Sequence, residues 1–210
     1  MARGEAASIR DAIPVREYYD RRAPEYDDWY LGTGLFAARD RPGWRDEVEA
    51  LTGALAALPP ARTLDVACGT GFLTRHLPGE IWGLDRSGPM LAVARERLPA
   101  GRLVEGDALV LPFPDGAFAR IAAGHFYGHL EPAERERFLA EAARVGRELL
   151  IVDSARRPDV PAERWDPRVL SDGSRHAVFK RWFTPEELVA ELGGGEVVHA
   201  GAWFVAVLRA

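Results

Sequence analysis

Residues 64–74 read LDVACGTGFLT. Together with Arg62 and Thr63, the segment RTLDVA (62–67) has the short apolar run of a buried strand. Gly69-Thr70-Gly71 follows as a tight turn, and FLTRHL (72–77) begins a helix. Glycines in such a turn permit positive φ and let a ligand approach the backbone.

Outward from this unit the same alternation continues. EIWGLD (80–85) reads as a second strand, and Ser87 can cap a helix with Met90, Leu91, Ala94 and Leu98 on one face. GRLVEGD (101–107) and FARIAAG (118–124) read as the third and fourth strands. PAERERFLAEAARV (132–145) is a helix with Phe138, Leu139 and Ala142 inward, and RELLIVD (147–153) is a fifth strand. Upstream, Trp44, Val48, Leu51, Leu55 and Leu58 recur at helical spacing until Pro59-Pro60. Strands alternating with helices imply an α/β fold, a mostly parallel sheet covered on both faces.

The ends differ from this centre. The first 13 residues are polar and are expected to fray. PVREYYDRRAPEYDDWY (14–30) is aromatic and charged, a short helix that breaks near Pro24. Residues 154–175 are polar and Pro-rich, without a regular element. HAVFKRWF (176–183) alternates as a strand, with Val178, Lys180 and Trp182 on one face. TPEELVAEL (184–192) is a helix capped by Thr184. EVVHAGAWFVAVLRA (196–210) reads as two antiparallel strands around a turn near Ala200-Gly201.

Composition narrows the function classes. The chain has 210 residues, 47% hydrophobic and 28% charged, enough for one domain with a sizeable core. No apolar run is long enough to cross a bilayer and no secretory h-region opens the chain, so a cytoplasmic location is expected. One cysteine, Cys68, excludes an internal disulfide and a cysteine metal cluster. A net charge of −5 argues against nucleic acid as a partner. There is no Asn or Gln, and among 27 basic residues Lys180 is the only lysine. Lysine is a compact point charge rather than a planar fork, so this position stands out.

In an open parallel sheet, ligands bind beyond the C-terminal strand ends. Asp85 ends the second strand, where a carboxylate can accept two ribose hydroxyls, and Asp107 follows the third, within reach of an adenine amino group. A strand, a glycine loop and two acidic strand ends suggest an adenosine ligand. A dinucleotide fingerprint would need glycine where Thr74 stands, and no Walker lysine is present. Asp65 would repel a pyrophosphate but suits a cationic ligand end.

LDVACGTGFLT, GLDRSGPML (83–91), EGDALVLPFPDGAFARI (105–121) and RWFTPEELVAEL (181–192) together resemble the class I S-adenosylmethionine-dependent methyltransferases. YYDRRAPEYD (18–27) is similar to the aromatic lid of small-molecule members. The resemblance implies one Rossmann-like domain: a mostly parallel seven-stranded sheet, an antiparallel C-terminal strand and helices on both faces. Within it, 14–40 would be the lid, 60–153 the cofactor core, 154–183 an acceptor-site insertion, and 184–210 the C-terminal helix and strands. It implies S-adenosylmethionine as cofactor, with Asp65, Ala67, Gly69 and Gly71 around its methionyl part and Asp85 at the ribose. Arg86 and Met90 would flank the adenine, Asp107 and Ala108 would contact its edge, and Tyr19 and Tyr26 would close the lid. Ala119 departs from the family, where Asp commonly follows Phe; the position is mainly structural. Cys68 reads as a packing residue rather than a nucleophile.

Methyl transfer is an in-line displacement, so acceptor, methyl and sulfur must be aligned and water excluded. GHFYGHLEP (124–132) follows the fourth strand and carries His125 and His129 four residues apart. By resemblance this loop runs between cofactor sulfur and acceptor, with His125 near the methionyl end. A metal site would lack further ligands. Either histidine could act as a base for a hydroxyl or amine. Arg168, Asp172-Gly173 and Lys180 form an R-x-x-x-D-G-x6-K pattern similar to a subgroup that includes a bacterial phosphonate O-methyltransferase. That similarity implies that Arg168 and Lys180 face an anionic acceptor. The expected function is methylation of a small molecule, O-directed onto a carboxylate, phosphonate or hydroxyl. The alternatives are a His-assisted N-methyltransferase, a non-catalytic S-adenosylmethionine-binding protein and, disfavoured by Thr74, a nicotinamide oxidoreductase.

Overall fold

The computed structural model describes residues 15–98 and 102–210. The segment expected to fray, residues 1–13, lies outside them. The elements are α1 (Val15–Arg22), α2 (Asp28–Leu31), α3 (Trp44–Ala56), β1 (Ala61–Val66), β2 (Gly79–Asp85), α4 (Gly88–Arg97), β3 (Arg102–Glu105), β4 (Phe118–Gly124), α5 (Pro132–Val145), β5 (Gly146–Ser154), β6 (Glu163–Val169), β7 (Arg175–Arg181), α6 (Pro185–Glu191), β8 (Glu196–Ala200) and β9 (Phe204–Arg209).

Seven strands form one sheet in the order β3-β2-β1-β4-β5-β9-β8. β3, β2, β1, β4 and β5 pair in parallel, and β9 is antiparallel to both β5 and β8. The chain steps outward from β1 to β3, then crosses back to lay β4 on β1's other side. That reversal opens a crevice beyond the C-terminal ends of β1 and β4.

The sheet is buried on both faces because successive strand residues feed opposite cores. Leu149, Ile151, Val205 and Val207 pack with Phe138 of α5 and Leu188 of α6. Leu150, Val152, Phe204 and Ala206 pack with Trp44, Leu51 and Leu55 of α3. Leu51 and Leu55 are fully buried; truncating either to alanine costs on the order of 2–5 kcal/mol. α3 also carries Glu47, whose carboxylate accepts the backbone N–H groups of Ala202, Trp203 and Phe204. This pins the turn before β9 to the helix.

Two expectations are corrected. Residues 72–77 form only a 3-10 turn, Thr74–His76. Leu77 precedes Pro78 and is extended (ψ 130°), as the residue before proline must be, so no helix can grow there. The polar, Pro-rich stretch contains β6, which pairs with β7 as a separate hairpin from Glu163↔Arg181 to Val169↔Arg175. Asp172 and Gly173 form its tip: Asp172 Oδ1 accepts the Ser174 N–H, and Gly173 has φ +82°. They turn the chain and lie outside the cavities of the site.

Candidate active site

The loop after β1 is shaped by three positive-φ residues, Ala67 (φ 56°), Gly69 (φ 55°) and Gly71 (φ 74°). The glycines differ in what they allow. A Cβ on Gly69 would meet only the Tyr26 ring at 3.8 Å, across the crevice. A Cβ on Gly71 would press on Leu98 and Ala94 at the end of α4. Gly69 therefore lines the cavity, whereas Gly71, expected beside the cofactor, lets α4 pack close to the loop. Cys68 Sγ lies against Gly83, whose Cβ would meet it at 2.9 Å, and burial pushes its thiol well up, away from nucleophilic use.

Two carboxylates frame the loop. Asp85 at the end of β2 accepts the Gly69 N–H on Oδ2 (2.8 Å) and the Ser87 N–H on Oδ1 (2.9 Å). Each oxygen keeps a lone pair for a ligand hydroxyl. Asp65 Oδ2 accepts the Thr74 hydroxyl (2.6 Å), while its Oδ1 is buried without a partner. Burial pushes the Asp65 carboxyl up to about 7, against the Thr74 hydrogen bond. A desolvated carboxyl with one orphaned oxygen is built to receive a cation.

The lid is tied down at both ends of the loop. Asp27 accepts the Thr70 hydroxyl on Oδ1 (2.6 Å) and pairs with Arg97 through Oδ2, while Arg97 donates to the Thr70 carbonyl (2.9 Å). Tyr30 stacks on Phe72 with ring centroids 4.1 Å apart. Tyr19 and Tyr26 thereby face the crevice; burial pushes the Tyr26 phenol up to about 12 and Tyr19's well above the ordinary range, so both stay neutral.

His125 and His129 do not share a helix face. His125 ends the strand at φ 53°, donates its N–H to the Val152 carbonyl (2.7 Å), and is followed by a 3-10 turn, Tyr127–His129. Its ring packs on Trp29 (4.7 Å) and Phe204 (5.5 Å), with both nitrogens unpartnered. Burial pushes it down to about 3, against the pull of Asp153. His129 Nδ1 lies 2.7 Å from the Phe179 carbonyl on β7. That bond assigns the proton to Nδ1 and leaves Nε2 as an acceptor. Burial, then Lys180, hold His129 well below the usual histidine range, so it is neutral.

Beneath these rings lies an ion pair that sequence reasoning missed. Asp153, at the end of β5, pairs with Lys180 and accepts the N–H groups of Gly128 and Ser154 (2.7 Å each). Burial opposes its ionisation, but Lys180 and the two histidines outweigh it and hold the carboxyl below the carboxylate range. The lone lysine, expected to face an anionic acceptor, is buried with its charge balanced by Asp153, although it also lines the outer cavity. Arg168 is likewise paired, with Asp166 at 2.9 Å.

The expected cofactor residues converge. Tyr19, Tyr26, Ala67, Gly69, Asp85, Arg86, Met90 and His125 line one cavity of about 220 Å³. Asp107 and Ala108 line an adjoining one of about 70 Å³, and Asp65 a narrow cleft with Tyr26, Ala67 and Cys68. Beyond them is a cavity of about 420 Å³ that includes Arg168 and Lys180. Tyr19, Tyr26, His125 and His129 belong to both large cavities and form the wall between them. The outer cavity also holds Arg22, Arg39, Arg41, Arg157 and Arg164, none of them expected. In so arginine-rich a chain these positions do not stand out by composition.

The Gly69 loop, the Asp85 carboxylate and the unpartnered Asp65 oxygen thus stand together at the switch point of the sheet. Residues 63–148 match the family described as "Methyltransferase domain". The chain is similar to the class I S-adenosylmethionine-dependent methyltransferases, whose cofactor is S-adenosylmethionine. It is 37% identical to a demethylmenaquinone methyltransferase of Thermotoga maritima over 132 residues, 60% of this chain and 54% of that protein. The chain spans about half the length of the curated relatives it matches. Among solved structures, a DhpI–SAH complex matches at 26% identity with a TM-score of 0.67, covering 92% of this chain and 93% of that one. A DhpI–SAM–HEP complex shares the fold, with a TM-score of 0.70 at 24% identity over 92% and 95% of the two chains. Among the described residues, no helix is long and apolar enough to cross a membrane.

Proposed function

We propose that this protein transfers the methyl group of S-adenosylmethionine to an oxygen of a small anionic molecule. One observation carries the reading: the cofactor cavity shares a wall with a second cavity lined by six arginines and Lys180 against only Asp40 and Asp166. Such a lining favours an anion over a neutral ligand. S-adenosylmethionine, when bound, supplies an electrophilic methyl group on a sulfonium centre. Asp65 would hold its amino end, Asp85 its ribose, and Asp107, Ala108, Arg86 and Met90 its adenine. Tyr19 and Tyr26 exclude water from the wall where the two cavities meet. His129 offers Nε2 to an acceptor hydroxyl, accepting its hydrogen bond and taking its proton as the methyl group is transferred. Lys180 and Asp153 hold the His125–His129 loop, and Arg168 adds to the positive lining. A cytoplasmic setting fits an enzyme whose single cysteine is packed.

Similarity to demethylmenaquinone and ubiquinone/menaquinone C-methyltransferases favours a second reading, C-methylation of a quinone. A lining this charged is costly for an apolar ring to desolvate. Formation of S-adenosylhomocysteine should be followed across a panel of small carboxylates, phosphonates, hydroxy acids and a demethylated quinone. The proposal expects turnover with anionic oxygen acceptors, lost in His129→Ala. Turnover with the quinone alone would overturn it, and no turnover with any acceptor would favour a binding protein.

A further inference from the structure

Three cavities lie in series. Tyr19, Tyr26, His125 and His129 join the cofactor cavity to the acceptor cavity. At its other side, Arg39, Arg41 and Trp44 join the acceptor cavity to an outer groove of about 350 Å³ that also carries Phe36 and Arg45. Resting on the proposed methyl transfer, we propose that Arg39 and Arg41 form an oxyanion subsite at the outer end of the acceptor cavity. The acceptor is then a two-ended molecule: a carboxylate, phosphate, phosphonate or sulfate at these arginines, and the oxygen that takes the methyl group at His129.

Charge balance separates these two arginines from the other cations of the acceptor cavity except Arg22, which also lacks a carboxylate but donates to the Tyr18 hydroxyl (2.7 Å) and lies over the Tyr26 ring (4.8 Å). Lys180 is paired with Asp153, Arg164 and Arg168 with Asp166, and Arg157 with Asp159. Among the described residues, no carboxylate lies within 4.0 Å of Arg39 or Arg41, although Asp40 and Asp46 belong to the same walls. Aromatic faces hold both guanidinium groups in place. Arg39 lies over Phe36 at 4.5 Å, and Arg41 over Trp44 at 3.7 Å. Stacking occupies the flat faces and leaves N–H edges to donate in the plane. Arg41 uses one of them on the Trp29 carbonyl (2.9 Å). Burial lowers both groups: at Arg39 the repulsion of Arg168 adds to it and Asp166 opposes it, while at Arg41 the repulsion of Arg39 adds to it and the group is pushed down to about 10. An oxyanion between them relieves that crowding. A paired Lys180 and Arg168 gain less from the same ion, which assigns the charged end of the acceptor to the outer boundary rather than to the methyl-transfer wall.

The test is a calorimetric titration of inorganic phosphate into the full chain, with and without saturating S-adenosylhomocysteine. Phosphate should bind the wild-type protein. Arg39→Gln with Arg41→Gln should weaken phosphate by at least about tenfold and leave S-adenosylhomocysteine affinity within about twofold, whereas Arg168→Gln should weaken phosphate by less than about threefold. Arg39→Gln alone, at an exposed side chain, should give an intermediate loss and serves if the double variant folds poorly. No phosphate binding to wild type, unchanged affinity in these variants, or a larger loss in Arg168→Gln would overturn the subsite. Failure of S-adenosylhomocysteine to bind would strike at the methyltransferase reading instead, and the phosphate titration without it keeps the two failures distinct.

Discussion

Asp65 and Asp85 stand 20 residues apart in sequence and differ in their surroundings: Asp65 keeps one oxygen without a hydrogen-bond partner, whereas each oxygen of Asp85 accepts a backbone amide. Because burial lifts Asp65 to about 7, the ligand-free protein carries a proton there below that pH. A cationic cofactor end favours the ionised form, so binding in acid must release the proton. S-adenosylmethionine affinity should therefore fall as pH drops from about 7.5 to 5.5, by up to about tenfold per unit, and Asp65→Asn should flatten the dependence. A calorimetric pH series on both proteins checks this. Asp85→Ala should weaken cofactor binding by about 1–3 kcal/mol through lost hydrogen bonds, since it removes both the ribose acceptor and the anchor of the Gly69 and Ser87 amides. Unchanged affinity would mean the ribose lies elsewhere. The histidines follow the opposite logic: burial lowers both, so with saturating cofactor their protonation should leave kcat flat from about pH 6 to 8.

Elements place these groups, and their legibility varied with what each element faces. α4 and α5 were readable because their buried faces are apolar at helical spacing: Met90, Leu91, Ala94 and Phe138 are nearly inaccessible. β6 was not, because its pattern is inverted. Asp166 is buried while Trp165 and Val169 are exposed, since the inner side of this hairpin meets a polar cavity. A strand that lines a charged site looks like a loop to a hydrophobicity pattern. The 3-10 turn at 74–76 was misread because Phe72 and Leu73 face the core without needing a helix to do so. The lid depends on a polar latch: Asp27 joins Thr70 and Arg97. Asp27→Ala should loosen the lid and weaken S-adenosylhomocysteine binding about tenfold, with a thermal-stability loss of about 1–3 kcal/mol for the partly buried network. Equal affinity in the variant, measured by titration, would show that the latch holds only the fold.

At the scale of the molecule, the crossover from β3 back to β4 creates the crevice, and alternating strand and helix signals were enough to expect it. That the glycine loop and the acidic strand ends line adjoining cavities was legible because these signals are local in sequence. In the arginine-lined cavity, Arg168 and Lys180 stand out in the sequence but Arg39, Arg41 and Asp153 do not, because they reach Lys180 only through the tertiary fold. Lys180 stood out by composition, yet its partner Asp153 sat unnoticed at the end of a strand read correctly. The proposed function requires a methyltransferase cofactor site between Gly69, Asp85 and the lid. Isothermal titration of the wild-type protein with S-adenosylhomocysteine and, separately, with NAD decides it. Saturable one-to-one binding of S-adenosylhomocysteine and none of NAD is expected. Tight NAD binding with no S-adenosylhomocysteine binding would contradict it.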